Sequence, residues 1–163
     1  MPFLNKFGKY DNLQCGLIHI CGNNLPVPVP LRKVHLDVKV VDFVSEVTIS
    51  QEYINREFNP IEVLYSYPVE ESAAIIGFEA NIDGREIETE VKKKEEAKEE
   101  YNQAMYEGNT AILLEETAAD IFSMKLGQLK PGAGAKVKLT YIMELPVEDK
   151  SVRLTIPTII APR

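Results

Sequence analysis

A chain of 163 residues with 45% hydrophobic side chains is long enough to bury one core without disulfides or metals to staple it. Its 18 basic against 25 acidic residues give a formal charge of −7, which disfavours sequence-independent binding to phosphate backbones and to anionic lipid. The N-terminal MPFLNKFGKYDN has neither a continuous apolar run nor a small-residue cleavage site, no segment approaches a membrane span, and no Asn-x-Ser/Thr sequon occurs. A cytoplasmic location is expected, with neither nucleic acid nor membrane as partner.

In chain order, the first residues read as a tail, followed by CGLIHIC, in which Cys15, His19 and Cys21 form a C-x3-H-x-C cluster. If this stretch is extended, residues 15, 17, 19 and 21 share one face, and three soft ligands could converge. A fourth ligand is not evident and the spacing is not that of a zinc knuckle, so thiols on an ordinary strand are the preferred reading and no metal is expected. LPVPVPL, Leu25 to Leu31, is a proline-alternating lead-in that cannot occupy the middle of a sheet.

Val34, Leu36, Val38 and Val40 then alternate with His35, Asp37 and Lys39, which predicts a half-buried strand with His35 on its solvent side. Val47, Ile49 and Tyr53 carry a second strand past an irregularity at Asp42 to Ser45. A turn cluster at Asn55 to Pro60 joins this to IEVLYSYPV, and IIGFEANI meets REIETEV through Asp83-Gly84, a two-residue hairpin signal, so two hairpins are expected in succession. TAILLEE, DIFSMKLGQL, KVKLTYIMEL and SVRLTIP complete the strands, with Pro131-Gly132-Ala133-Gly134 joining DIFSMKLGQL to KVKLTYIMEL.

One helix is expected between these strands, with Ala97, Tyr101, Ala104, Met105 and Gly108 on a narrow apolar stripe. Its charges oppose the helix dipole: Lys92, Lys93 and Lys94 stand at the N-terminal end, and Glu99, Glu100 and Glu107 towards the other. Core packing of the stripe and a solvated charge run explain the segment. About nine short strands with one helix cannot make a parallel sheet covered on both faces. The fold class expected is mainly β: an antiparallel β-sandwich with one inserted amphipathic α-helix.

The helix pattern E-E-A-K-E-E-Y-x-x-A, Gly108 with A-I-L-L-E, D-I-F at Asp120 to Phe122, L-G-Q-L-K-P-G at Leu126 to Gly132, V-K-L-T-Y-I-M-E-L at Val137 to Leu145 and the closing P-T-I-I-A-P-R occur in this order and spacing. Together they resemble the vault protein inter-alpha-trypsin (VIT) domain. The resemblance divides the chain into an N-terminal tail and extended lead-in with a possible first strand, 1–27, and the domain, 28–163. C-G-L and P-V-P-L are most similar to the intracellular branch of the family rather than to the secreted inter-alpha-trypsin inhibitor heavy chains.

The resemblance implies a non-catalytic protein-interaction or scaffold module that would continue into a von Willebrand factor A domain, its expected partner. The alternatives are a non-catalytic segment of a vault-associated ADP-ribosyltransferase or of a secreted matrix protein. The D-x-S-x-S string of an adhesion metal site is absent, as are G-x-S-x-G, Walker A, G-x-G-x-x-G and H-E-x-x-H. No catalytic residue, cofactor or metal ligand is therefore expected, and the partner-binding residues stay unassigned.

Overall fold

The computed structural model describes residues 15–22, 26–89 and 121–156. Eleven strands lie in them: β1 (Gly16–Ile20), β2 (Pro26–Pro28), β3 (Leu31–Val41), β4 (Val44–Ile54), β5 (Ile61–Pro68), β6 (Ala73–Ile82), β7 (Arg85–Thr89), β8 (Ile121–Leu129), β9 (Gly134–Glu144), β10 (Val147–Glu148) and β11 (Ser151–Val152). They form a four-stranded sheet in the order β2-β1-β5-β8, a five-stranded sheet in the order β3-β4-β9-β6-β7, and a β10-β11 ribbon, with every pairing antiparallel. The mainly β, antiparallel expectation is what the structure shows. Among the described residues there is no helix, so the inserted helix is not supported; its stripe from Ala97 to Gly108 and the TAILLEE strand lie outside the described residues.

Period-two patterning sets the faces of the central strands. On β4, Ser45, Val47, Ile49, Gln51 and Tyr53 are buried, and on β9 Ala135, Val137, Leu139, Tyr141 and Met143 are, while the residues between them are partly or wholly exposed. Leu17, Val63, Tyr65, Tyr67, Leu126 and Leu129 of the smaller sheet belong to the same core, so the two sheets face each other across it. Tilted ring pairs cross the gap: Tyr65 with Phe78 at 5.5 Å, Phe78 with Phe122 at 5.3 Å and Tyr67 with Tyr141 at 5.8 Å.

Turn chemistry agrees with the sequence where the turn is local. Asp83 and Gly84 both take positive φ, 50° and 80°, the backbone that a two-residue hairpin requires, and Asn81 Oδ1 accepts a hydrogen bond from Gly84 N at 3.2 Å. The irregularity expected at Asp42 is the tight turn from β3 to β4, with Asp42 at φ 54°. Proline confines β2 to the edge of its sheet, because Pro26 and Pro28 cannot donate to a second neighbour.

Three expectations are corrected. The turn at Asn55 to Pro60 does not make a hairpin: β4 pairs with β9 and β5 with β8, so the chain crosses there from one sheet to the other. The final SVRLTIP strand shrinks to Ser151–Val152, after which Leu154 and Ile156 pack against the core without pairing. The apolar row of β3 is not half-buried along its length. Leu36, Val38 and Val40 are 37–48% exposed, because β3 is the edge of the wider sheet and the facing four strands do not cover it.

Among the described residues, the buried side-chain polar atoms are paired with one exception. Tyr65 Oη donates to Gln51 Oε1 at 2.7 Å. Asn55, 1% exposed, donates through Nδ2 to Leu129 O at 3.0 Å and Asn59 O at 3.2 Å, and its Oδ1 accepts from Glu57 N at 2.9 Å. Its backbone closes the same junction, donating to Ala133 O at 3.0 Å and accepting from Gly132 N at 2.9 Å. Tyr53 Oη is the exception: among the described residues it is the buried side-chain atom without a hydrogen-bond partner. It lies 2.7 Å from where a Cβ on Gly16 would sit, and Gly16 has φ +99°.

Two measurements check this account. Asn55→Ala strands the Leu129 carbonyl and the Glu57 N–H, and chemical denaturation should show a loss of about 2–4 kcal/mol. Gly16→Ala should cost about 1–3 kcal/mol from the positive φ alone, and more from the clash. Tyr53→Phe removes an unpaired hydroxyl and should be neutral or stabilising. In the double variant part of the Gly16→Ala loss should return, and strictly additive losses would show that the hydroxyl does not press on that backbone.

Candidate functional site

The Cys15, His19, Cys21 cluster does not assemble. Cys15 is half-buried at the start of β1 with its Sγ 3.5 Å from Ser66 O, His19 is half-buried, and Cys21 is exposed beyond the strand. Alternation does put Cys15 and Leu17 on the core side, but the strand runs out of cover before Cys21. Among the described residues no group of three His, Cys, Asp or Glu side chains is placed to hold a metal ion. His35 stands exposed on β3, on the outer side that its alternation with Val34 and Leu36 indicates.

Burial shapes the ionisable groups of the core. It pushes the Cys15 thiol up to about 12, against a smaller opposing effect of the Gly16 backbone hydrogen bond. Burial likewise raises the phenols of Tyr53, Tyr65, Tyr67 and Tyr141. The hydrogen bond between Tyr67 and Tyr141, 3.3 Å between oxygens, raises the first further and opposes the rise in the second. These groups stay neutral at physiological pH and serve packing and hydrogen bonding.

The surfaces are more distinctive. The outer face of the five-stranded sheet carries two cross-strand rows set by register, Lys33–Glu52–Lys136–Asn81–Glu86 and His35–Ser50–Lys138–Glu79–Glu88. Lys138 pairs with Glu79 at 2.9 Å, both exposed, and the face dips into a shallow depression of about 350 Å³ between β4, β9, β6 and β7. Basic residues lie toward β3 and β9 and acidic ones toward β7, so the face is dipolar rather than uniformly negative.

At one end of the sheets a cleft of about 590 Å³ opens below the β3–β4 turn. Phe43, Met143, Leu145, Pro146 and Val147 form its apolar part, and Phe43 and Val147 are both more than half exposed. Glu70, Glu144 and Glu148 edge it, against one cation among the described lining residues, Arg153, which pairs with Glu148. Leu145 N donates to Phe43 O at 2.7 Å and Arg153 N to Pro146 O at 3.0 Å, fixing the turn and the ribbon to either side. Sequence reading missed this cleft. Its signal was the run Val40-Val41-Asp42-Phe43-Val44, apolar on both sides of a turn, where exposed turns are ordinarily polar.

The sequence model of the vault protein inter-alpha-trypsin domain matches residues 31–141. The mouse protein mono-ADP-ribosyltransferase PARP4 is 39% identical over 94% of this chain and 8% of its own length. Human von Willebrand factor A domain-containing protein 5A is 36% identical over 90% of this chain and 19% of its own length. A von Willebrand factor A domain-containing protein of Dictyostelium discoideum is 29% identical over 81% of the chain and 14% of its own length. The chain thus spans less than a fifth of each of these relatives.

The two thiols separate in a direct assay. At pH 8 a thiol ionising near 12 is thiolate in about one molecule in ten thousand, so Cys15 should resist a thiol reagent until the chain is denatured. Exposed Cys21 should react in the native protein, giving one fast equivalent and a second on unfolding; two fast equivalents would show that Cys15 is not sheltered.

Proposed function

Because the chain belongs to the vault protein inter-alpha-trypsin domain family, we propose that it is a non-catalytic protein-interaction module, the scaffold part of a larger cytoplasmic protein, whose partner is an adjacent von Willebrand factor A domain. The observation that carries this reading is the apolar cleft at Phe43, Leu145 and Val147 with its acidic edge. Large side chains exposed together beside a cleft are the ordinary mark of a protein interface. Two of the relatives named above carry a von Willebrand factor A domain in their names, which supports that domain as the occupant. The excess of Glu70, Glu144 and Glu148 over Arg153 favours a partner surface with basic residues around an apolar contact. A formal charge of −7 supports a protein partner over nucleic acid or membrane. No helix among the described residues is long and apolar enough to cross a membrane.

A second reading follows from the 39% identity to the mouse mono-ADP-ribosyltransferase: the module is a non-catalytic segment of such an enzyme. The two differ in the domains that accompany the module and agree on its interaction role.

A separately produced von Willebrand factor A domain from the same protein, titrated into residues 1–163, is expected to bind. Val147→Asp should weaken that binding by more than about tenfold while leaving the melting temperature unchanged, because the side chain is more than half exposed. Binding unaffected by Val147→Asp would remove the cleft from the interface, and no binding at all would remove the A domain as partner.

A further inference from the structure

β3 presents an unusual edge. It is 11 residues long, it ends the five-stranded sheet, and among the described residues nothing pairs with its free side. Its inner row, Leu36, Val38 and Val40, is apolar and substantially exposed. The edge strand β2, by contrast, is 3 residues long and blocked by Pro26 and Pro28. A long apolar edge with no such block is a template for another strand.

The hydrogen-bond phase of that edge is fixed. Leu145 N donates to Phe43 O, so odd-numbered residues of β4 bond to β9 and even-numbered ones to β3. Through the register Val41↔Val44, Lys39↔Glu46, Asp37↔Thr48 and His35↔Ser50, the odd residues of β3 bond inward to β4. The N–H and C=O groups of Leu36, Val38 and Val40 therefore point out of the sheet. An added antiparallel strand must meet these even residues with its own outward-pointing ones.

We infer that the partner of this edge is the β3 strand of a second copy of the chain, paired antiparallel about Val38. Charge selects that register. With Val38 opposite Val38, Leu36 faces Val40, His35 faces Val41, and Asp37 of each copy faces Lys39 of the other, giving two opposite-charge pairs on the outer face. A shift of two residues one way sets Asp37 against Asp37, and the other way sets Lys39 against Lys39. Both alternatives keep the hydrogen-bond phase and are disfavoured by like charges directly opposite. The lysines that would ordinarily guard an edge strand thus permit one pairing and discourage its neighbours. The inner rows of the two copies would meet side by side, burying Leu36, Val38 and Val40 against one another across a ten-stranded sheet made from two of five. This pairing lies apart from the Val147 cleft and does not depend on the function proposed for it.

Sedimentation equilibrium on residues 1–163 tests the pairing, with amide hydrogen exchange as the second readout. The mass should rise with concentration toward twice that of the monomer, and the amides of Leu36, Val38 and Val40 should gain protection in step. Val38→Pro removes an N–H that has no in-chain partner among the described residues, so it should fold with an unchanged melting temperature and remain monomeric. Lys39→Asp and Asp37→Lys each set like charges opposite one another and should weaken dimerisation by about tenfold, and the double exchange should restore it. A wild-type chain that stays monomeric up to about 1 mM overturns the inference. So does a dimer indifferent to Val38→Pro, or a Val38→Pro monomer that melts well below the wild type, since that edge would then be occupied within the chain.

Discussion

The two sheets are held in relation to one another by a buried amide. Asn55 sits where the chain leaves β4 and crosses to β5, and its side chain bonds to Leu129 at the end of β8 while its backbone bonds to the turn that carries the chain back to β9. Both crossovers are therefore tied at one point. A buried amide with its donors and acceptor paired tolerates little displacement, because each bond lost leaves a desolvated group behind. Fixing this corner fixes how β4 and β9 lie over β5 and β8. The ring contacts of Tyr65, Phe78 and Phe122 and the Tyr65–Gln51 hydrogen bond then fall in place farther along the same strands.

The sheets are unequal, and the surface follows from that inequality. Five strands face four, so the inner side of β3 overhangs and its apolar row meets solvent. The β3–β4 turn projects beyond the covered core and brings Phe43 over the cleft beside Leu145 and Val147. On the other side of the corner, Arg85 of β7 reaches across to Gln128 O of β8 at 2.7 Å and bridges the sheets.

The interior offers packing rather than chemistry. Tyr53, Tyr65, Tyr67 and Tyr141 are held neutral by burial, and Cys15 is pushed away from ionisation by the same cause. Groups that cannot change charge near neutral pH are poor acids, bases or nucleophiles. The distinctive features of such a framework lie at its edges, its outer face and its ends. The lysine and glutamate rows on the five-stranded sheet and the acidic edge of the cleft give those surfaces electrostatic character, which salt screens where the charges are exposed.

The sequence by itself determined what depends on neighbours along the chain. The alternation in KVKLTYIMEL gave the two faces of β9, Asp83-Gly84 gave a hairpin because few residues accept that backbone, and the prolines of LPVPVPL placed β2 at an edge. The ordered motifs carried the family. The tertiary structure decided what depends on distant partners: that Asn55 to Pro60 is a crossover, that Cys15, His19 and Cys21 do not converge, and that SVRLTIP pairs over only Ser151–Val152. The β3 row shows the physical reason most plainly. Leu36, Val38 and Val40 alternate as regularly as Val47 and Ile49, yet the first set is exposed and the second buried. Alternation says which side chains share a face, and only the width of the opposing sheet says whether that face is covered.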